Sequence, residues 1–334
     1  MPDFWTQLAA RIQAADSRLC VGLDPHPGQR PAAYADDAAF HTAVVRATAP
    51  YAAAYKPNIA FFEAQGAEGH RALTELLASI PPEIPVILDA KRADIASTAA
   101  AYARAAFDVL DVGAVTVNPY LGADGLTPFA EHQGRGLFVL CRTSNPSAGE
   151  LQDWDHHGTP LYLQVARLAQ ERWFAGRPYG LVAGATYPEA MGKIRRAAPD
   201  AWLLVPGVGA QGGEIEETLA AGLRADGEGV LINASRGICY AQDPAAAAQE
   251  LRAHINAARE AALAARQAAP PCDPRVDELA RALFQADCVR FGEFRLHSGA
   301  LSPVYIDLRR LVSQPAALER VAAAYADLLA PLTY

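Results

Sequence analysis

Several things are scarce in this 334-residue chain, and each absence narrows the reading. No apolar run approaches the roughly 18 uninterrupted residues that a membrane-spanning helix needs. The five cysteines (Cys20, Cys141, Cys239, Cys272 and Cys288) are widely separated and form no CxxC pair, so neither a disulfide framework nor a zinc site is expected. There is no GxGxxG after the first apolar run, which ranks a doubly wound dinucleotide-binding sheet below its alternatives. Positive charge is in deficit: the net charge of −8 argues against a nucleic-acid or anionic-membrane surface. The first residues, "MPDFWTQLAARIQAADS", carry Asp3, Arg11 and Asp16 and read as an amphipathic helix rather than a secretion signal, so a cytoplasmic location is expected.

What the chain does have is a repeat. Eight short apolar runs ("RLCVGLDP", "AAAYKPNIAFFE", "PVILDAKRAD", "AVTVNPY", "GLFVLCRTS", "YGLVAGAT", "AWLLVPGVGA" and "GVLINASRG") alternate with Ala-rich stretches of helical periodicity such as "IASTAAAYARAAFDVLDVG". Strand–helix alternation implies a parallel sheet, and eight repeats imply a closed (β/α)8 TIM barrel, of class α/β. Polar residues gather where each run stops: Asp24, Lys56 and Asn58, Asp89 and Lys91, Asn118, Arg142 to Asn145, Thr186, Gln211, and Asn233 with Arg236. In such a barrel the C-terminal ends of the strands form the active-site face.

The densest of these clusters is "VILDAKRADIAST". Asp89 and Lys91, two apart on an extended strand end, are expected to face the same side. An ion pair at a strand end explains that pair without any chemistry. Asp94 has the position and residue type of a helix N-cap before "IASTAAAYARAAF", and Arg92 reads as a solvated charge or a dimer contact. Lys56, however, is a second lysine inside an apolar run, with Asp24 available to pair with it, and buried charges need partners. Four charges alternating in sign at one barrel mouth would satisfy one another and create a strong local field. After the seventh and eighth runs, "PGVGAQGG" and "NASRGI" suit an anion site: Gly209 and Gly212 let backbone N–H groups approach, and Arg236 offers a bidentate contact to a phosphate. His156 and His157 have no third ligand nearby and read as surface residues, and Glu63 finds no role.

Together "VGLDP", "YKPNIAFFE", "DAKRADIAST" and "INASRGI" resemble the orotidine 5′-phosphate decarboxylases, in particular the bacterial subgroup with a D-A-K-R-x-D-I signature, over roughly Phe4 to His254. The resemblance implies a homodimer of barrels with shared active sites, no metal or organic cofactor, and loss of CO2 from orotidine 5′-phosphate to give UMP, the last step of de novo UMP synthesis. It implies Lys91 as proton donor to C6, Asp89 against the departing carboxylate, and Asp94 and Thr98 reaching the other subunit's site. Asp24 and Lys56 would hold the ribose hydroxyls, Ser144 the base, and Gln211 both phosphate and pyrimidine; Asn118 joins the substrate-binding set. The related hexulose-phosphate synthases share acid-x-Lys-x-x-acid on the third strand but use a divalent metal, so a metal-dependent lyase is the alternative. A Schiff-base aldolase and a non-catalytic scaffold complete the set. Asp89 and Asp94 favour a charged Lys91 and disfavour the neutral amine of Schiff-base chemistry.

The barrel is expected over residues 1–267, followed by a Pro-containing linker at 268–275, "AAPPCDP". Residues 276–334, centred on "VRFGEFRLHSGALSPVYIDLRRLVSQP", resemble the beginning of an orotate phosphoribosyltransferase, the glycosyltransferase that makes orotidine 5′-phosphate. Nothing after Asp307 fits the strand with paired acids that holds the pyrophosphate-bearing ribose, and His297 stands where that family commonly has lysine. The expectation is a truncated, inactive α/β transferase segment.

Overall fold

The computed structural model describes residues 3–156, 158–207, 213–268, 274–295 and 301–329. By its contacts the chain divides into two units, Met1–Arg266 and Gln267–Tyr334. In the first, eight parallel strands run in the order β2-β1-β8-β7-β6-β5-β4-β3: β1 (Leu19–Gly22), β2 (Ala54–Lys56), β3 (Ile87–Arg92), β4 (Ala114–Val117), β5 (Gly136–Arg142), β6 (Gly180–Ala183), β7 (Trp202–Pro206) and β8 (Val230–Ala234). Bridges between Tyr55 and Val86 and between Asn58 and Asp89 join β2 to β3 and complete the ring. The Asp89 N–H, for instance, donates to the Pro57 carbonyl at 2.9 Å. This is the expected (β/α)8 barrel. Its strands lack polar alternation because both faces are covered, one by the barrel interior and one by helices; β1, β4 and β6 are buried at every position.

The helix Phe4–Ala15 closes the N-terminal end of the barrel. Asp3 caps it by accepting the Thr6 N–H at 3.1 Å. Its Phe4 meets Phe138 edge-on at 6.1 Å, and Trp5 stacks on Trp202 at 6.4 Å between ring centroids. A Cβ on either Gly113 or Gly136, where β4 and β5 begin, would collide with Phe4. That end is sealed with aromatic surface, and the opposite end is left for chemistry.

The β6–β8 side of the barrel is fastened by one buried arginine. Arg195, on the helix Pro188–Ala197, donates to the carbonyls of Gly222, Ala198, Pro199, Ala201 and Gly229 at 2.7–3.2 Å. Its planar fork reaches five acceptors that a lysine could not. Burial, with Arg224 nearby, lowers its pKa to about 10.

In the second unit the helices Pro274–Gln285 and Pro315–Leu329 accompany an antiparallel pair, β9 (Val289–Arg295) and β10 (Leu301–Ile306). A small core gathers Ala282, Ala286, Cys288, Leu311, Ala317 and Val321. Of the expected linker, Ala268 ends the helix Pro244–Ala268 and Pro274 starts the next; 269–273 lie outside the described residues.

We predict that Arg195→Met lowers the stability of the barrel by roughly 3 kcal/mol, since several carbonyls lose their donor together. Urea unfolding followed by far-ultraviolet dichroism checks this, and Arg195→Lys should restore only part of the loss.

Candidate active site

The mouth of the barrel is organised around Asp89. β3 pairs with β4 in regular register through Leu88 and Val115, and then slips: Arg92 is opposite Val117, so three residues of β3 face only Thr116. Lys91 takes up the bulge with φ +48°, a left-handed conformation uncommon for a side chain of its size. The bulge turns the Lys91 ammonium back onto its own strand, where Nζ donates to Asp89 Oδ1 at 2.6 Å. From β2, Lys56 Nζ donates to the other oxygen, Oδ2, at 2.9 Å. Thr116 Oγ1 donates to Asp89 Oδ1 at 3.0 Å. The Lys56 side chain is 5% exposed and that of Lys91 46%, so one lysine lies under the carboxylate and the other faces the opening.

The electrostatics follow from this sandwich. Burial alone would raise the pKa of Asp89, but Lys56 and Lys91 outweigh it and hold the carboxyl at about 2. Burial would likewise discharge Lys56; the Asp89 and Asp24 carboxylates overcome it and keep its pKa above the usual lysine value. The pairing differs from the expected Lys56–Asp24 partnership. Asp24 acts on Lys56 through space, while its Oδ1 accepts the Asn58 N–H at 3.2 Å. The reason is register: the bridge between Asn58 and Asp89 sets the end of β2 against Asp89.

Around this centre the other expected residues take varied places. The Asp24 carbonyl accepts the Tyr240 hydroxyl at 2.9 Å, and that hydroxyl accepts the His26 N–H at 2.8 Å, tying the loop after β1 to the turn after β8. Asn118 is half-buried and its side chain accepts the Tyr120 N–H at 3.0 Å. Ser144 lies against β6: a Cβ on Gly184 would stand 2.8 Å from the Ser144 Cβ, so only glycine lets that loop cross so closely. Arg142 is buried, paired to Asp153 at 2.8 Å and stacked 4.2 Å from the Tyr187 ring centre. Arg236 is exposed at the start of a short helical turn, Arg236–Cys239. Gln211, Gly209 and Gly212 lie outside the described residues, as does His157.

Three readings need correction or completion. Asp94 is not the helix cap: the helix Ala96–Arg104 has Ile95 at its N-cap with no side-chain cap bond, and the Asp94 side chain accepts the N–H of Ile95, at 2.8 Å. The helix thus starts one residue later than that cap would set it, and its first residue, Ala96, has φ +47°. Arg92 is neither a free surface charge nor unpartnered, because it pairs with Glu63 and lies 4.9 Å over the Tyr102 ring, which also places Glu63. Thr116 gave no signal in the sequence, since threonine in an apolar run reads as an ordinary strand former. Among the described residues, Asp94 and Thr98 make no hydrogen bond to the Lys56–Asp89–Lys91 group, and Thr98 is exposed.

Comparison with known proteins bears directly on this constellation. Residues 17–251 match the orotidine 5′-phosphate decarboxylase / HUMPS family. The chain belongs to that family. An orotidine 5′-phosphate decarboxylase of Roseiflexus sp. (strain RS-1) is 52% identical over 271 residues, which span 79% of this chain and 99% of that protein. One from Cupriavidus metallidurans is 47% identical over 243 residues, 71% of this chain and 89% of its own. Among solved structures, Leishmania donovani UMP synthase superposes with a TM-score of 0.73 at 47% identity, covering 100% of this chain and 71% of that one. The matched family region takes in every barrel strand defined above, with Asp24, Lys56, Asp89, Lys91 and Arg236 inside it.

The depressed pKa of Asp89 yields a sign and a window. A carboxyl ionised in the fold down to about 2, against roughly 4 when unfolded, contributes stability above the unfolded value and loses it as pH falls toward 2. We predict that urea stability between pH 4 and 2 falls in the wild type by roughly 2 kcal/mol more than in Asp89→Asn.

Proposed function

We propose that the barrel decarboxylates orotidine 5′-phosphate to UMP and CO2, with Lys91 as the proton donor and no metal. The observation that supports this most is the line Lys56–Asp89–Lys91, in which a buried carboxylate is held between two lysines and only one of them faces the opening. Breaking the C6–carboxylate bond leaves the electron pair on C6, where it has no obvious route of delocalisation. The transition state then needs positive charge and a proton at that carbon, and the Lys91 ammonium supplies both. Asp89 has two tasks in this reading. It aims Lys91 through the 2.6 Å bond, and it presents negative charge to the substrate carboxylate, a repulsion relieved as CO2 leaves. Because its carboxyl stays ionised to about pH 2, loss of activity in mild acid must come from other groups.

Asp24, Lys56, Asn118 and Ser144 then serve the ribose and base. Arg236, with Gly209, Gln211 and Gly212 on the loop after β7, serves the phosphate, so that binding energy remote from C6 orders the mouth. Asp94 and Thr98 act on the partner's site in a homodimer. Their surroundings suit a second copy: Ile95, Tyr120 and Leu121 are exposed apolar side chains, and Gly125 packs against both the Asp94 carbonyl and Leu121. A metal-dependent lyase is disfavoured by the occupancy of Asp89, whose two oxygens already accept Lys56, Lys91 and Thr116.

The second unit is proposed to be transferase-like, of the orotate phosphoribosyltransferase type. The alignment with UMP synthase, which covers the whole of this chain, supports that reading.

The deciding experiment follows the fall in ultraviolet absorbance of orotidine 5′-phosphate in EDTA. Wild type should convert it to UMP, and Lys91→Ala should be slower by at least about 10³-fold. Activity that requires magnesium, or that survives in Lys91→Ala, would overturn the mechanism. For the dimer, mixing inactive Lys91→Ala and Asp94→Ala should regenerate one native site per mixed dimer; no recovery would place Asp94 in its own subunit's site.

A further inference from the structure

We infer that Thr116 is a positioning residue for the decarboxylation: its buried hydroxyl holds the β3 bulge and fixes Asp89 against Lys91. The inference rests on the decarboxylase reading above. Thr116 is 1% exposed, in the middle of β4, at the one place where the β3–β4 register slips. Its Oγ1 accepts the N–H of Ala90 at 3.0 Å and of Lys91 at 2.9 Å. It also lies 3.0 Å from Asp89 Oδ1. A hydroxyl has one proton and two acceptor lone pairs. Both backbone groups are donors only, so they take the lone pairs and the proton is left with one destination, Asp89. The hydroxyl is therefore fully used and its orientation is fixed by its neighbours.

The consequence is a closed loop of constraints. Lys91 holds φ +48°, a conformation that persists only when the surroundings over-determine it. Thr116 grips its backbone nitrogen, while the Lys91 ammonium and the Thr116 hydroxyl meet on the same oxygen of Asp89. One side chain thus sets both ends of the acid–lysine pair without reaching the substrate itself. A valine there would keep the shape and the strand propensity and remove all three bonds.

The test compares Thr116→Ser, Thr116→Val and Thr116→Ala with wild type in kcat and KM for orotidine 5′-phosphate, in Kd for UMP, and in melting temperature. We expect valine and alanine to lower kcat ~10- to 100-fold while KM and the UMP Kd stay within about 3-fold, and serine to keep kcat within about 3-fold of wild type. Wild-type kcat in the valine or alanine variant would overturn the inference. So would a serine variant as slow as alanine, or a loss shared equally by UMP binding and melting temperature. Should the valine variant fail to fold, the alanine and serine pair decides. A wild type that neither turns over substrate nor binds UMP would overturn the decarboxylase reading and this inference with it; an active wild type with equally active variants overturns this inference alone.

Discussion

One buried carboxylate, kept ionised by two lysines, is the constraint on which the mouth of this barrel depends. Lys56 beneath and Lys91 in front keep Asp89 ionised against its burial, and the Asp89 and Asp24 carboxylates do the same for Lys56. Removing Asp89 would leave Lys56 buried against only the through-space charge of Asp24, which is far costlier than the net worth of the pair, whereas removing either lysine leaves an ion pair behind. Asp89 is therefore the member on which the other two depend. In the proposed mechanism this gives a fixed, strong field at the point where a substrate carbon must accept a proton.

The rest of the barrel supplies rigidity to that unit. The aromatic seal under Phe4 and Trp5 closes one end, and Arg195 binds the turns on the β6–β8 side through five carbonyls. Ring closure between β2 and β3 matters most for the site, because the bridge from Asn58 to Asp89 sets Lys56 against its partner. The bulge on β3 then does what regular pleating could not and turns Lys91 back toward the residue two positions earlier. Electrostatic preorganisation is here a property of backbone register as much as of side-chain choice.

How much of this was legible in the sequence depended on the range of the interaction. The eight strands could be read because each apolar run stops at a polar residue, a pattern local to the chain. Asp89 and Lys91 could be read as one cluster for the same reason. The partner of Lys56 could not: Asp24 and Asp89 are both acids at strand ends, and only register across β1, β2 and β3 separates them. The role of Arg92 was hidden because Glu63 is 29 residues away. Thr116 was invisible because its chemistry depends on a bulge in the neighbouring strand. Asp94 failed as a cap because Ala96 adopts positive φ, which no propensity anticipates. Gln211, Gly209 and Gly212 fall outside the described residues, so the phosphate loop rests on sequence and resemblance.

The central claim is that Lys91 delivers the proton to C6, and by microscopic reversibility it must also remove one. The most direct measurement is the exchange of the C6 deuteron of 6-deuterated UMP with solvent, followed by proton NMR in EDTA. The account predicts exchange catalysed by the wild-type protein and abolished in Lys91→Ala, with UMP binding retained. Exchange that persists at the wild-type rate without Lys91 would contradict it.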